Sequence, residues 1–143
     1  MRSIFQEEEG IVEELQGVEI IDAKASKLSY DQENEVTILW LKPKGKKHWY
    51  RIFIDFLHCN VQIEDGDEAY LKSSKLQESM SEWLDDIEII DYSDWFAGET
   101  ISCATVCLLD TGGIRIELTI KLASTKEFTL SLLDSDVTKI SRK

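Results

Sequence analysis

Across residues 114–133 an apolar side chain falls on every second position. The first run places Ile114, Ile116, Leu118, Ile120 and Leu122 around Arg115, Glu117, Thr119 and Lys121. After Ala123-Ser124-Thr125-Lys126, a second run from Glu127 to Leu132 repeats the pattern through Phe128, Leu130 and Leu132. Successive strand side chains point to opposite faces, so the pattern predicts a hairpin with one apolar and one wet face. A lone hairpin is marginal in water, and the rest of the chain must cover its apolar side.

The remaining pattern supplies further elements. Residues 100–109 carry no charge, which predicts a central strand covered on both faces. They enter the hairpin through Asp110-Thr111-Gly112-Gly113, where glycine makes a tight turn cheap. Residues 36–41 are apolar at nearly every position and predict another doubly buried strand. A lysine-rich loop at 42–47 leads back into a strand over 49–57, with Ile52, Ile54 and Phe56 sharing its inward parity. Residues 18–30 alternate but change phase between Ala25 and Leu28, as a bulged strand does. Residues 31–34 predict a turn, 60–70 a loop or strand end, 88–92 a short strand, 93–99 irregular chain and 137–143 a fraying tail.

Two stretches carry helical spacing. In residues 3–16, Ile4, Ile11 and Leu15 recur with Phe5 and Val12 beside them, and glutamates fill the other side. Ser3 with Gln6 fits a capping box and Gly17 a stop, although Gly10 inside the run costs about 1 kcal/mol against alanine. In residues 74–87, Leu76, Met80, Trp83, Leu84 and Ile87 follow a helical series behind a second capping pair, Ser74 and Gln77. The order is therefore helix-βββ-helix-βββ. Short loops between strands imply antiparallel pairing. The expected fold is a single α+β domain over residues 1–143, an antiparallel sheet of about six strands with two helices packed on its apolar side.

Charge is the most informative quantity for function. The net charge is −12, and residues 59–100 alone carry twelve acids against two bases. Residues 1–17 hold five glutamates and one arginine, while the rest of the chain is near neutral. Nothing in the sequence approaches the ~18 consecutive apolar residues of a membrane span, and the N-terminus turns acidic where a leader needs an apolar core. Cys59, Cys103 and Cys107 are odd in number and lack CxxC spacing. The expectation is a reduced, cytoplasmic chain without membrane contact.

Candidate chemistry is sparse. Asp55, His58 and Cys59 are the nearest approach to a nucleophilic cluster, yet neighbouring residues of one strand face opposite ways. Glu64-Asp65-Gly66-Asp67-Glu68 offers hard oxygen ligands without the spacing of an EF-hand loop. Cys103 and Cys107 share a strand face but stand roughly 13 Å apart. No metal and no cofactor is expected. Lys42, Lys44, Lys46 and Lys47 form a basic loop, but on so acidic a molecule a nucleic-acid partner is disfavoured.

The segment singled out for recognition runs from Glu82 to Glu99. It combines Asp85, Asp86, Glu88, Asp91 and Asp94 with Tyr92, Trp95 and Phe96, and contains no base. Aromatic rings supply contact area, and carboxylates steer a cationic partner. The expected function is a non-enzymatic acidic binding protein that neutralises a basic protein partner. The physical profile matches a bacterial immunity protein masking the cationic cleft of a toxic nuclease. The rival expectations are a small adaptor or assembly subunit, and an enzyme using His58 or Cys59.

Overall fold

Strands account for most of the chain. The computed structural model describes residues 2–28, 32–55, 58–71, 87–135 and 137–142. Its strands are β1 (Arg2–Glu7), β2 (Gly10–Ile11), β3 (Ile20–Leu28), β4 (Ile38–Pro43), β5 (His48–Asp55), β6 (His58–Asp65), β7 (Ile87–Asp91), β8 (Ile101–Thr111), β9 (Ile114–Leu122), β10 (Glu127–Leu133) and β11 (Thr138–Arg142). A 3-10 turn covers Glu13–Leu15, a short helix, α1, covers Ser93–Phe96, and residues 69–71 are helical as well.

β3 to β6 form an antiparallel meander. β1 returns to pair with β6 and β7 pairs with β3, giving the order β1-β6-β5-β4-β3-β7. β8 to β11 form a second meander, ordered β11-β10-β9-β8-β2. The inner faces cover one another. Ala23, Ala25, Leu39, Leu41, Ile52 and Val61 of the first sheet share a single core with Ala104, Val106, Ile116, Leu118, Ile120 and Leu130 of the second.

This overturns the α+β expectation: the fold is two antiparallel sheets of six and five strands, and among the described residues the helical pieces are short. The apolar face of the β9–β10 hairpin is covered by another sheet rather than by helices. The expected helix over residues 3–16 is instead β1, β2 and the 3-10 turn. Gly10 sits at φ +142°, a conformation closed to other residues, and a Cβ there would lie 3.8 Å from the Phe5 ring. The chain thus doubles back over Phe5, and β1 gains a ladder to β6 from Arg2↔Ile63 to Glu7↔Cys59. Val12 and Leu15, three residues apart, still enter the core, now from the 3-10 turn.

Other differences have equally local causes. Residues 60–70 were expected as a loop or strand end, and Cys59, Val61 and Ile63 in fact alternate inward along a full strand, β6. Over residues 137–142 the expected fraying tail is instead a strand: Ile140 is buried on β11, held by its ladder to β10 and by Ile140 N–H donating to the Asn34 carbonyl at 2.8 Å. β8 is not covered on both faces. Ala104 and Val106 point inward while Ser102 and Cys107 are exposed, so the absence of charge reflects small polar residues outside. The β3 register shift lies between Ile20 and Asp22 rather than beyond Ala25. β4 is buried throughout, as its composition implies. On its outer side Ile38, Trp40, Trp49 and Ala69 form a second, small cluster. The helix expected over 74–87 falls largely on 74–86, outside the described residues, and Ile87 itself opens β7.

Candidate binding surface

Residues 87–99 form the corner by which the chain leaves the first sheet for the second. β7 is an edge strand, with Asp91 opposite Lys24 and Glu88 opposite Lys27 on β3. Asp91 Oδ1 accepts the Ser93 N–H at 2.8 Å, a turn an aspartate makes with the residue two positions on. The same oxygen lies 3.3 Å from Lys24 Nζ, which also meets Asp22 at 3.3 Å. The Ser93 hydrogen bonds, then the Lys24 charge, hold the Asp91 carboxyl below its ordinary range. Burial alone would lower the Lys24 pKa, but Asp22 and Asp91 together raise it.

The aromatic residues of this corner turn inward. Phe96 is completely buried against Phe128, ring centroids 4.3 Å apart. Tyr92 is buried, and its hydroxyl and the Asn34 Oδ1 lie 3.2 Å apart in a hydrogen bond. Burial, with Glu33 nearby, pushes the phenol pKa up. Trp95 is half-buried, edge-on to Tyr92 at 4.9 Å and stacked on Phe128 at 5.5 Å. The Arg142 guanidinium lies 4.9 Å from the Trp95 ring.

These rings plug one end of the sandwich, so the contact area left to a partner is the outer part of Trp95. The carboxylates are also partly spent internally. Glu99 pairs with Lys126 at 3.4 Å and accepts the Ser124 hydroxyl at 2.8 Å. Asp94 shares a concavity of about 240 Å³ with Trp95, Lys126, Phe128 and Arg142, two cations to one acid. Glu88 is exposed at the edge. Asp85 and Asp86 lie outside the described residues.

A different acidic surface is assembled at the opposite edge of the first sheet. β1 and β2 are consecutive in the chain but belong to different sheets, so the N-terminal segment crosses the open side of the sandwich. There Ser3, Ile4, Phe5, Gln6, Glu7, Ile11, Glu13 and Glu14 line an open groove of about 400 Å³. Glu8 and Glu9 stand exposed in the link between the two strands. Among the described residues, none of these five glutamates makes an ion pair. Ile11 is 54% exposed, more than any other large apolar side chain described. The clue was present in the sequence as Glu7-Glu8-Glu9 followed by Glu13-Glu14, but helical spacing assigned those residues to a solvated helix face.

The remaining candidates change character. Cys59 is fully buried, and burial pushes its thiol up to about 12, while His58 lies exposed on the opposite face of β6. A thiolate at that position has neither access nor a base. All three cysteines are free, and only Cys107 is exposed. Lys42 is buried with its ammonium 3.4 Å from Asp67 and 5.8 Å from the Trp49 ring, and Lys44 meets Glu19 at 3.2 Å. The basic loop is therefore half neutralised within the chain. Among the described residues no three His, Cys, Asp or Glu side chains converge as a metal cage, and no helix is long and apolar enough to cross a membrane. No family model matches the chain, and neither the curated proteins nor the solved structures yield a significant match.

Proposed function

We propose that this chain is a non-enzymatic binding protein that neutralises a basic protein partner by covering it with carboxylates. The observation that carries the reading is the N-terminal edge: Glu7, Glu13 and Glu14 around one groove, with Glu8 and Glu9 beside it and, among the described residues, no ion pair to any of the five. Carboxylates without intramolecular partners project their field outward, steer a cationic surface and raise its association rate. Exposed Ile11 beside half-buried Ile4 and Phe5 adds the apolar contact that carboxylates lack. In its sharpest form the partner is a toxic nuclease, whose substrate cleft is cationic because it holds phosphate, and the complex excludes nucleic acid from that cleft.

Capture of cellular partners by the wild-type chain and by a Glu7→Lys/Glu13→Lys/Glu14→Lys variant tests this. The specific partner is expected to be basic, to associate at least tenfold more slowly with the variant, and to lose most of the salt dependence of its on-rate. Where it is a nuclease, the wild-type chain suppresses its activity and the variant does so less. A partner that is not basic, or equal rates and salt slopes for both chains, refutes the proposal.

A further inference from the structure

Two sheets have four edges, and three of them are occupied or poorly matched to a cationic ligand. The β11 edge is covered by the 34–36 segment, through Val36 N–H to the Thr138 carbonyl at 2.9 Å and the Glu35↔Lys139 bridge. Beyond β8 the outermost strand is β2, only two residues long, and together with the turn after it this strand lines β8, Val12 N–H donating to Ala104 at 2.9 Å and Gly17 N–H to Ile101 at 2.7 Å. The β7 edge is five residues long, and its Asp91 is already paired with Lys24 at 3.3 Å. β1 is different. It is six residues long, its ladder to β6 uses one side only, and no backbone bond to its other side exists among the described residues.

We propose that an extended basic segment of the partner adds to the six-stranded sheet as a further strand along β1. This rests on the binding function proposed above and specifies how the partner is held. Main-chain hydrogen bonds to an open edge supply affinity without regard to sequence, and side chains at alternate positions supply selectivity. Six residues of strand span roughly 20 Å, and the groove beside β1 offers Phe5 and Ile11 to the stems of lysine or arginine and Glu7, Glu13 and Glu14 to their heads. Open edges are commonly guarded by lysine or proline. β1 contains neither, and its bulge between Ser3 and Phe5 leaves the later residues free to pair.

The probe is a ten-residue peptide of alternating lysine and threonine, compared with the same sequence N-methylated at alternate amides. N-methylation removes the donors of one edge and leaves the charge intact. Binding is read by fluorescence anisotropy, and the β1 amides by hydrogen exchange. The unmodified peptide is expected to bind with an affinity that falls with salt, to slow exchange of the β1 amides facing away from β6, and to bind at least tenfold more tightly than the methylated form. The Glu13→Lys/Glu14→Lys variant is expected to weaken both peptides. Equal, salt-dependent binding of the two peptides overturns strand addition and leaves the carboxylate surface standing. Binding of neither peptide, by a chain that still holds its captured partner in a glutamate-dependent way, also overturns strand addition alone. Loss of glutamate dependence for the captured partner removes the underlying reading as well.

Discussion

Replacing Phe96 by alanine separates a ring that holds the fold from one that holds a partner. Phe96 is completely exposed in neither direction of the corner: it is fully buried, and its ring lies 4.3 Å from Phe128, itself only 2% exposed. Removing a buried phenylalanine ring forfeits its transfer free energy and leaves a cavity, together about 3–5 kcal/mol. A domain of this kind has only ~5–15 kcal/mol to lose. At roughly 3–4 °C per kcal/mol for a chain of this length, the melting temperature is expected to fall by about 10–20 °C. Trp95→Ala is the internal comparison. Trp95 is half-buried and loses a stack on Phe128 plus the Arg142 contact, about 1–2 kcal/mol together. Thermal melts by circular dichroism and urea titrations with matched slopes measure both variants. If Phe96→Ala melts with the wild type while partner binding disappears, the ring is an anchor and its assignment to the core is wrong.

Two further outcomes bear on individual groups. Buried Cys59, with its thiol near pKa 12, is expected to resist iodoacetamide at pH 8 in the folded chain, while exposed Cys107 is alkylated and urea exposes all three; mass spectrometry of native digests showing modified Cys59 contradicts this. The depressed Asp91 pKa contributes stability that is present above the unfolded value, near ~3.9, and is lost as the pH falls through the folded value. Because that side chain is 61% exposed, the contribution is below ~1 kcal/mol. Asp91→Asn is expected to flatten the decline of the urea midpoint below about pH 4, and an unchanged acid limb would show that the Lys24 and Ser93 contacts add nothing.

The β9–β10 hairpin was legible because its pattern and its pairing are both local: Leu118 faces Leu130 across a four-residue turn. β4 was legible for the same kind of reason, since a run with an apolar residue at nearly every position has to be covered twice. β1 was not. Its partner β6 lies more than fifty residues away, and Ile4, Ile11 and Leu15 satisfy a helical spacing as well as they satisfy the actual path through β1, β2 and the 3-10 turn. Short apolar runs carry no information about a distant strand edge. The site divides in the same way. That residues 87–99 combine rings with acids is plain in the sequence, but Phe128, Asn34, Lys24 and Lys126, which bury or neutralise them, come from three other parts of the chain.

By itself the sequence determined a strand-rich chain with a large acidic excess and at least one amphipathic hairpin, because alternation is a property of consecutive residues and charge is a simple count. Tertiary structure decided that a second sheet covers the hairpin and which carboxylates keep an outward field. Burial and ion pairing depend on distances through space, and a strand edge is open or closed only by virtue of what lies beside it.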